Sequence, residues 1–266
     1  MLNVSFLLRQ SWWIQLALLF TVLSTRAILI AGGSSLWIRF SAWAKARRIV
    51  AGENSPQVMV KEITNGFLVI FLDASSVVLL IKAGVFHFST EFTALEFITT
   101  YVAMFIWGEI YFYYSHRLFH IPKLFWIHRH HHQSAVVNPW TSLAFSIPER
   151  LLLLLGLSVV PALISIWYPI PLPAFALYFL VNYALNVYGH LNTEVMPPSY
   201  VQSWFGRILN TTSYHTMHHQ RYRGHYGLFT PFLDQWHATR YADYESVQAA
   251  NFQKGALREE TSLVME

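Results

Sequence analysis

Long apolar stretches, at about residues 12–32, 66–85, 92–114 and 151–188, constrain this chain of 266 residues more than any other feature. A helix needs roughly 20 apolar residues to cross a hydrocarbon layer of about 30 Å. In lipid the backbone must satisfy its own hydrogen bonds, which leaves helices or a closed barrel. Runs of this length without strict alternation favour helices. Composition agrees: 54% of residues are hydrophobic and 12% charged, with a mean hydropathy of +0.35. The expectation is an all-α integral membrane protein with about four to five transmembrane or re-entrant helices, forming a single domain over 1–266. The first stretch is too long, and wrongly flanked, for a cleaved signal peptide.

The last stretch carries Pro161 and the cluster Pro169, Pro171 and Pro173. It therefore reads as two short spans joined by a tight turn, or as one re-entrant hairpin. Arg26, Asp73 and Glu109 lie inside the apolar stretches, where ionisable groups must face protein or water. Opposite sign allows an Arg26–Asp73 pair. Basic residues cluster between the first two stretches (Arg39, Lys45, Arg47, Arg48 and Lys61) and after the third (Arg117, Lys123 and Arg129), which assigns both loops to the cytoplasm. The membrane would be a bacterial inner membrane or the endoplasmic reticulum. Residues from about 201 onward are polar enough for a cytoplasmic cap, and about 250–266 are expected to form a flexible tail.

Cysteine is absent, which excludes disulfides, iron–sulfur clusters and cysteine zinc sites. The net charge of +4 is explained by positive residues beside the spans, so no nucleic-acid partner is expected. Histidine is the unusual residue. Nine of the 13 fall at repeated intervals: His116 and His120 as HxxxH, His128, His131 and His132 as HxxHH, His190 alone, and His215, His218 and His219 as a second HxxHH.

On a helix, residues three or four apart share a face, so each motif would converge its rings. Adjacent histidines diverge by about 100°, which lets His131 and His132 serve different metals. Glu109, seven residues before His116, is a candidate to orient a ligand. Glu194, four after His190, is a candidate oxygen ligand or bridge. Neutral nitrogen donors with few carboxylates suit iron, zinc or copper rather than magnesium or calcium. His87, His130, His225 and His237 stand outside the set.

These residues resemble the fatty acid hydroxylase and sterol desaturase superfamily of integral-membrane non-haem di-iron oxygenases. The likeness is carried by HR-x-x-H at His116 to His120, W-x-H-x-x-HH at Trp126 to His132, and H-x-x-HH at His215 to His219. The run from Asn138 to Glu149 is similar to sterol C5-desaturase-like members. Gly224-His225-Tyr226-Gly227, Asp234 and Ala238-Thr239 follow the family's G-N-Y-G and D-R-x-x-G-T pattern, with His225, Gln235 and Ala238 in place of Asn, Arg and Gly.

The resemblance implies a catalytic region at about 105–241 with two irons held by the nine histidines, zinc being possible after purification. It further implies that O2 and two electrons serve to remove hydrogen from an unactivated C–H bond of a sterol, fatty acyl chain or other membrane lipid, giving hydroxylation or desaturation. With no GxGxxG loop, haem signature or cysteine, electrons are expected from a separate ferredoxin, b-type cytochrome or reductase. The competing readings are a histidine-rich metal transporter and a non-catalytic metal-binding membrane protein. A transporter would hold its ligands near the membrane midplane, whereas these follow the apolar stretches.

Overall fold

The computed structural model describes residue 6, residues 9–134 and residues 136–264, with side chains as far as residue 254. Four helices are long and apolar enough to cross a membrane: α1 (Trp12–Phe40), α2 (Pro56–Lys82), α4 (Ile147–Trp167) and α5 (Leu172–Gly189). Between them α3 (Ala94–Phe119) has 26 residues and a length of about 39 Å. It is more polar than those four, but Leu95, Ile98, Val102, Ile106 and Ile110 lie exposed along one face, as expected of a helix bordered by lipid. The protein is thus a helical membrane protein, with one two-residue parallel ladder, Phe88–Ser89 against Ile170–Pro171, among the described residues.

Local sequence sets the boundaries. Ser55 caps α2 ahead of Pro56, and Thr93 with Glu96 forms a capping box on α3. Both α1 and α2 reach beyond the apolar stretches, because the residues up to Phe40 and back to Pro56 continue the same helices. Within α4, Pro161 has no N–H for the carbonyl four residues back, and the helix is interrupted just after Leu157, at Ser158. Two glycines permit close packing. A Cβ at Gly156 would collide with the ring of Tyr111, and one at Gly108 with the hydroxyl of Tyr178. Trp107 Nε1 and Tyr111 Oη donate to the carbonyls of Gly156 and Leu152, both at 2.8 Å, locking α3 to α4.

The bundle has two distinct ends. At one, His87 and Ile170 bond through their backbones, and Lys82 donates to the carbonyl of Gln10. At the other, Ile49 donates to the Asn192 carbonyl and Arg48 pairs with Thr193. That second end gathers the C-termini of α3 and α5 and the N-terminus of α4, and the cap closes over it. Buried Glu62 on α2 accepts from Asn138 Nδ2 at 2.6 Å, from Thr141 at 3.2 Å and from Ser134. The Asn138–Thr141 motif is therefore a clamp on the chain that follows the second histidine block.

One expectation is corrected here. Arg26 does not pair with Asp73; it donates to the carbonyl of Phe179 at 2.9 Å and its guanidinium lies over the ring of Tyr183. Asp73 instead accepts both forks of Arg150, each at 2.7 Å, a bidentate geometry that Arg26 cannot offer from its position against α5. Helix α7 (Tyr244–Val264) buries Tyr244, Gln248 and Asn251, and Gln248 donates to the Met196 carbonyl at 2.6 Å. Of the flexible tail expected over about 250–266, the side chains beyond residue 254 lie outside the described residues.

Candidate metal centre

All nine motif histidines meet at the capped end of the bundle, in two groups. His116, His120, His128, His132 and His218 form one; His131, His190, His215 and His219 form the other. Within each group, one ring nitrogen per residue lies within 4.8 Å of all the others. The chain reaches this arrangement from four directions. His116 sits in the last turn of α3, and His120 is its C-cap. His190 caps α5. Helix α6 (Thr212–Arg221) presents His215 and His219 to the four-membered group and His218 to the five-membered one.

The first HxxHH block is not one regular helix, as its spacing predicted. A single turn, Phe125–His128, is followed by a break and a 3-10 turn, His131–Gln133. Convergence survives because the break still returns the rings to one side. His131 and His132 stand at 88° to each other and enter different groups.

Hydrogen bonding fixes several tautomers. His116 Nδ1 faces the Tyr226 carbonyl at 2.9 Å, His218 Nδ1 the Gly224 carbonyl at 2.7 Å, and His190 Nδ1 the Asn186 carbonyl at 2.7 Å. A carbonyl only accepts, so each Nδ1 carries the proton and each Nε2 a lone pair. Those Nε2 atoms point at one another. His116 and His128 approach at 3.0 Å, and His218 and His132 at 3.2 Å. In the other group, four Nε2 atoms close a ring: His190–His131 at 3.4 Å, His131–His219 at 3.1 Å, His219–His215 at 3.2 Å and His215–His190 at 3.1 Å.

Nitrogens bound to a common metal at about 2.1 Å are themselves about 3.0–3.4 Å apart, so the spacing fits a shared cation. One orphaned atom points the same way: His120 Nε2 is buried without a hydrogen-bond partner. Nδ1 of His131, His132, His215 and His219 is also unpaired, on the far side of rings whose Nε2 atoms converge.

Burial also keeps the rings neutral. Desolvation lowers His190 to about 4, and desolvation with the neighbouring imidazoles lowers His132 to about 3. His131, His215, His218 and His219 are likewise held well below the usual imidazole value, first by burial and then by one another. Neutral imidazole is the ligating form, so at neutral pH the set is ready to bind a cation.

One carboxyl group supports a ring from behind. Glu149, buried at the start of α4, meets His128 Nδ1 at 2.5 Å. The spacing arguments did not single it out; the signal was an acid at the head of a wholly apolar stretch. Glu194 stands outside both groups. Helix α5 ends at Gly189 and the chain turns through Asn192 at φ 54°, so the helical spacing from His190 does not exist. Glu194 accepts instead from Ser213 N at 3.0 Å and Thr211 Oγ1 at 2.9 Å, securing the start of α6. Glu109 orients no imidazole either. Its Oε2 accepts from the backbone N–H of Thr230 at 2.8 Å and of Phe229 at 3.3 Å, tying the cap to α3.

Asp234 holds the loop whose carbonyls face His116 and His218. It accepts from the N–H of Tyr226 at 2.8 Å and of Gly227 at 2.7 Å, and from the hydroxyls of Tyr214 and Thr239. The remaining histidines stay outside both groups. His87 is exposed and His130 half-buried. His237 stacks on Tyr113 and bonds the Tyr114 hydroxyl, while His225 stacks on Tyr214 and faces its carbonyl.

A cavity of about 250 Å³ borders the four-membered group through His215, with Leu185, Tyr188, Leu209, Leu228 and Phe229 among its walls. A larger one of about 500 Å³, lined by Arg207, Gln235, Arg240 and Glu245, touches none of the nine histidines.

Comparison with known proteins follows this geometry. The fatty acid hydroxylase family model matches residues 101–239, a stretch that holds all nine histidines. Very-long-chain aldehyde decarbonylase GL1-5 of Oryza sativa subsp. indica is 32% identical over 130 residues, covering 47% of this chain and 21% of that protein. GL1-7 of Oryza sativa subsp. japonica is 34% identical over 131 residues, covering 47% and 20%. Very-long-chain aldehyde decarbonylase CER1 of Arabidopsis thaliana is 27% identical over 151 residues, covering 55% and 24%. The match thus spans about a fifth to a quarter of the length of these relatives. No solved structure matches. With half of its length, including every motif histidine, inside the family model, the chain belongs to the fatty acid hydroxylase family.

Proposed function

We propose that the protein is a membrane-bound, O2-dependent non-haem di-iron oxidoreductase that hydroxylates or desaturates a lipid, with electrons from a separate donor. The observation that carries this reading is the pair of imidazole groups, five and four strong, whose lone pairs converge at the end of apolar helices. His116, His120, His128, His132 and His218 would hold one iron, and His131, His190, His215 and His219 the other. Bound there, two irons would supply O2 activation, with the donor's electrons going to O2 and hydrogen being removed from an unactivated C–H bond. Zinc competes for the same nitrogen ligands, so the metal recovered on purification depends on supply.

The protein's own groups prepare this chemistry. Glu149 and the carbonyls of Tyr226, Gly224 and Asn186 hold Nδ1 protons so that Nε2 stays free. The apolar cavity at His215 receives an alkyl segment and excludes water, while the rest of the lipid remains in the bilayer. The choice between hydroxylation and desaturation then depends on which carbon the cavity walls bring towards His215. The positive-residue bias supports a cytoplasmic cap, from which a soluble or peripheral electron donor can be reached.

A second reading has a specific basis: the relatives are named very-long-chain aldehyde decarbonylases. Under it the same site converts a fatty aldehyde. A metal transporter is less well supported, because the ligands cluster at one end of the bundle rather than along it. The test is comparative lipid mass spectrometry of cells expressing the wild type or His218→Ala. A product heavier by one oxygen or lighter by two hydrogens, dependent on O2 and His218, supports the first reading, and a chain-shortened hydrocarbon the second. Metal uptake into vesicles without O2 consumption would overturn both.

A further inference from the structure

The cavity at His215 is mostly apolar, with Tyr188, Tyr200, Asn210 and Thr211 as its other polar walls. Asn210 is buried, yet neither its Oδ1 nor its Nδ2 has a hydrogen-bond partner, and the Tyr188 hydroxyl is unpaired as well. Because both halves of the amide are unpaired, the usual ambiguity in assigning oxygen and nitrogen does not matter. Buried polar groups in native proteins are almost always bonded, and an orphaned pair calls for an explanation. Packing alone does not provide one, since leucine would fill a similar volume without an amide to desolvate.

The amide is also held firmly. Asn210 N–H donates to the Phe229 carbonyl at 2.7 Å, and the next residue, Thr211, is bonded through its hydroxyl to Glu194 and Tyr244. The backbone on both sides is fixed, so the side chain is kept beside a cavity that ends at His215, a member of the four-imidazole group.

We propose that Asn210 is the anchor for an oxygen function on the substrate lipid, so that the site takes an alkyl chain bearing a hydroxyl or carbonyl rather than an unsubstituted hydrocarbon. The inference rests on reading the histidine groups as a lipid-oxidising site. A hydroxyl would donate to Oδ1 and accept from Nδ2; a carbonyl would accept from Nδ2 alone. Either would present the carbons next to the oxygen function to His215, and the cavity volume of about 250 Å³ accommodates only a segment of a long chain. Asn210 thereby sets which part of the lipid is attacked.

The test uses the full-length, metal-loaded protein in detergent micelles and measures displacement of a fluorescent hexadecyl probe by hexadecan-1-ol, hexadecanal and n-hexadecane. The wild type is expected to bind the alcohol about tenfold more tightly than the hydrocarbon, as two net hydrogen bonds provide. Asn210→Leu should abolish that preference while leaving hexadecane binding equal or tighter. Asn210→Asp, which keeps the shape but removes the amide donor, should weaken hexadecanal more than hexadecan-1-ol. Metal content and thermal midpoint, measured in parallel, identify any variant that merely misfolds. Equal binding of alcohol and hydrocarbon by the wild type, or a preference that persists in Asn210→Leu, would overturn the assignment. An Asn210-dependent preference without O2-dependent turnover would leave the anchor standing and defeat the oxidase reading; turnover without the preference would do the reverse.

Discussion

The two imidazole groups are made of the same residue, but what stands behind them differs. In the five-membered group His116, His128 and His218 each have an Nδ1 partner: the Tyr226 carbonyl, Glu149 and the Gly224 carbonyl. In the four-membered group only His190 does, while Nδ1 of His131, His215 and His219 is unpaired. Rings with fixed tautomers are oriented before any ion arrives; rings without them take their final orientation from the ion. The four-membered group also borders the cavity, through His215. With three tautomers fixed among five rings, against one among four, the five-membered group is the more rigid and the four-membered group the more pliable.

The largest effects should come from removing a ring. His218→Ala is expected to take one metal from the five-membered group, and His131→Ala one from the other, each bringing lipid oxidation below detection. Elemental analysis reads the first effect, falling from two ions per chain to one, and lipid mass spectrometry the second. Full activity in either variant would break the proposed ligand set and the two-site comparison with it.

Acid should act on both groups next. A histidine whose pKa is lowered by folding binds its proton more readily in the unfolded chain. The stability it contributes is therefore complete above about 6.5, the ordinary imidazole value, and is lost as the pH falls towards the folded value. That value is about 4 for His190, in the four-membered group, and about 3 for His132, in the five-membered one. Acidification from neutrality should thus destabilise the metal-free protein progressively, with both groups contributing. Thermal melts of the metal-free protein from neutrality down to about pH 4 check this, and a midpoint that stays constant over that range would break it.

Glu149→Gln is a milder probe. The amide keeps the shape but not the carboxyl group behind His128, and loss of such a partner typically weakens metal binding 10- to 100-fold. The expectation is weaker retention at the five-membered site alone under a graded chelator, with the four-membered site unchanged. Equal weakening at both would mean that the groups act as one unit.

The nine histidines and the separation of His131 from His132 were legible because helical spacing and motif repetition are local properties of the chain. The long spans were legible because lipid leaves the backbone so few choices. What surrounds the site was not. Asp73 found Arg150 instead of Arg26, and Glu62 found Asn138, because α2 packs against residues some 70 to 80 positions away, a choice set by tertiary contact rather than periodicity. Glu194 looked like a ligand only while α5 was assumed to continue past Gly189. Glu149 lay beside the proline that opens α4, and nothing in its spacing linked it to His128, 21 residues earlier.

The smallest predicted effect concerns the loop that serves the five-membered group. His225 and Ala238 both adopt left-handed backbone, at φ 54° and 51°. The related sequence pattern has Asn and Gly at these places, the two residues that tolerate this conformation best. Ala238 follows Asp234 closely, and Thr239 bonds Asp234 through both its N–H and its hydroxyl, so the turn cannot relax without disturbing the carboxylate that holds Tyr226 and Gly227. Ala238→Gly should relieve the strain and stabilise the fold by about 1 kcal/mol, less the backbone entropy that glycine adds to the unfolded chain. Because the loop carbonyls would keep their positions, metal content at both sites should stay the same. A higher melting midpoint with unchanged metal would show that the orientation of His116 and His218 is already complete in the native protein; a gain in metal retention at the five-membered site would mean that its rigidity is limited by this turn.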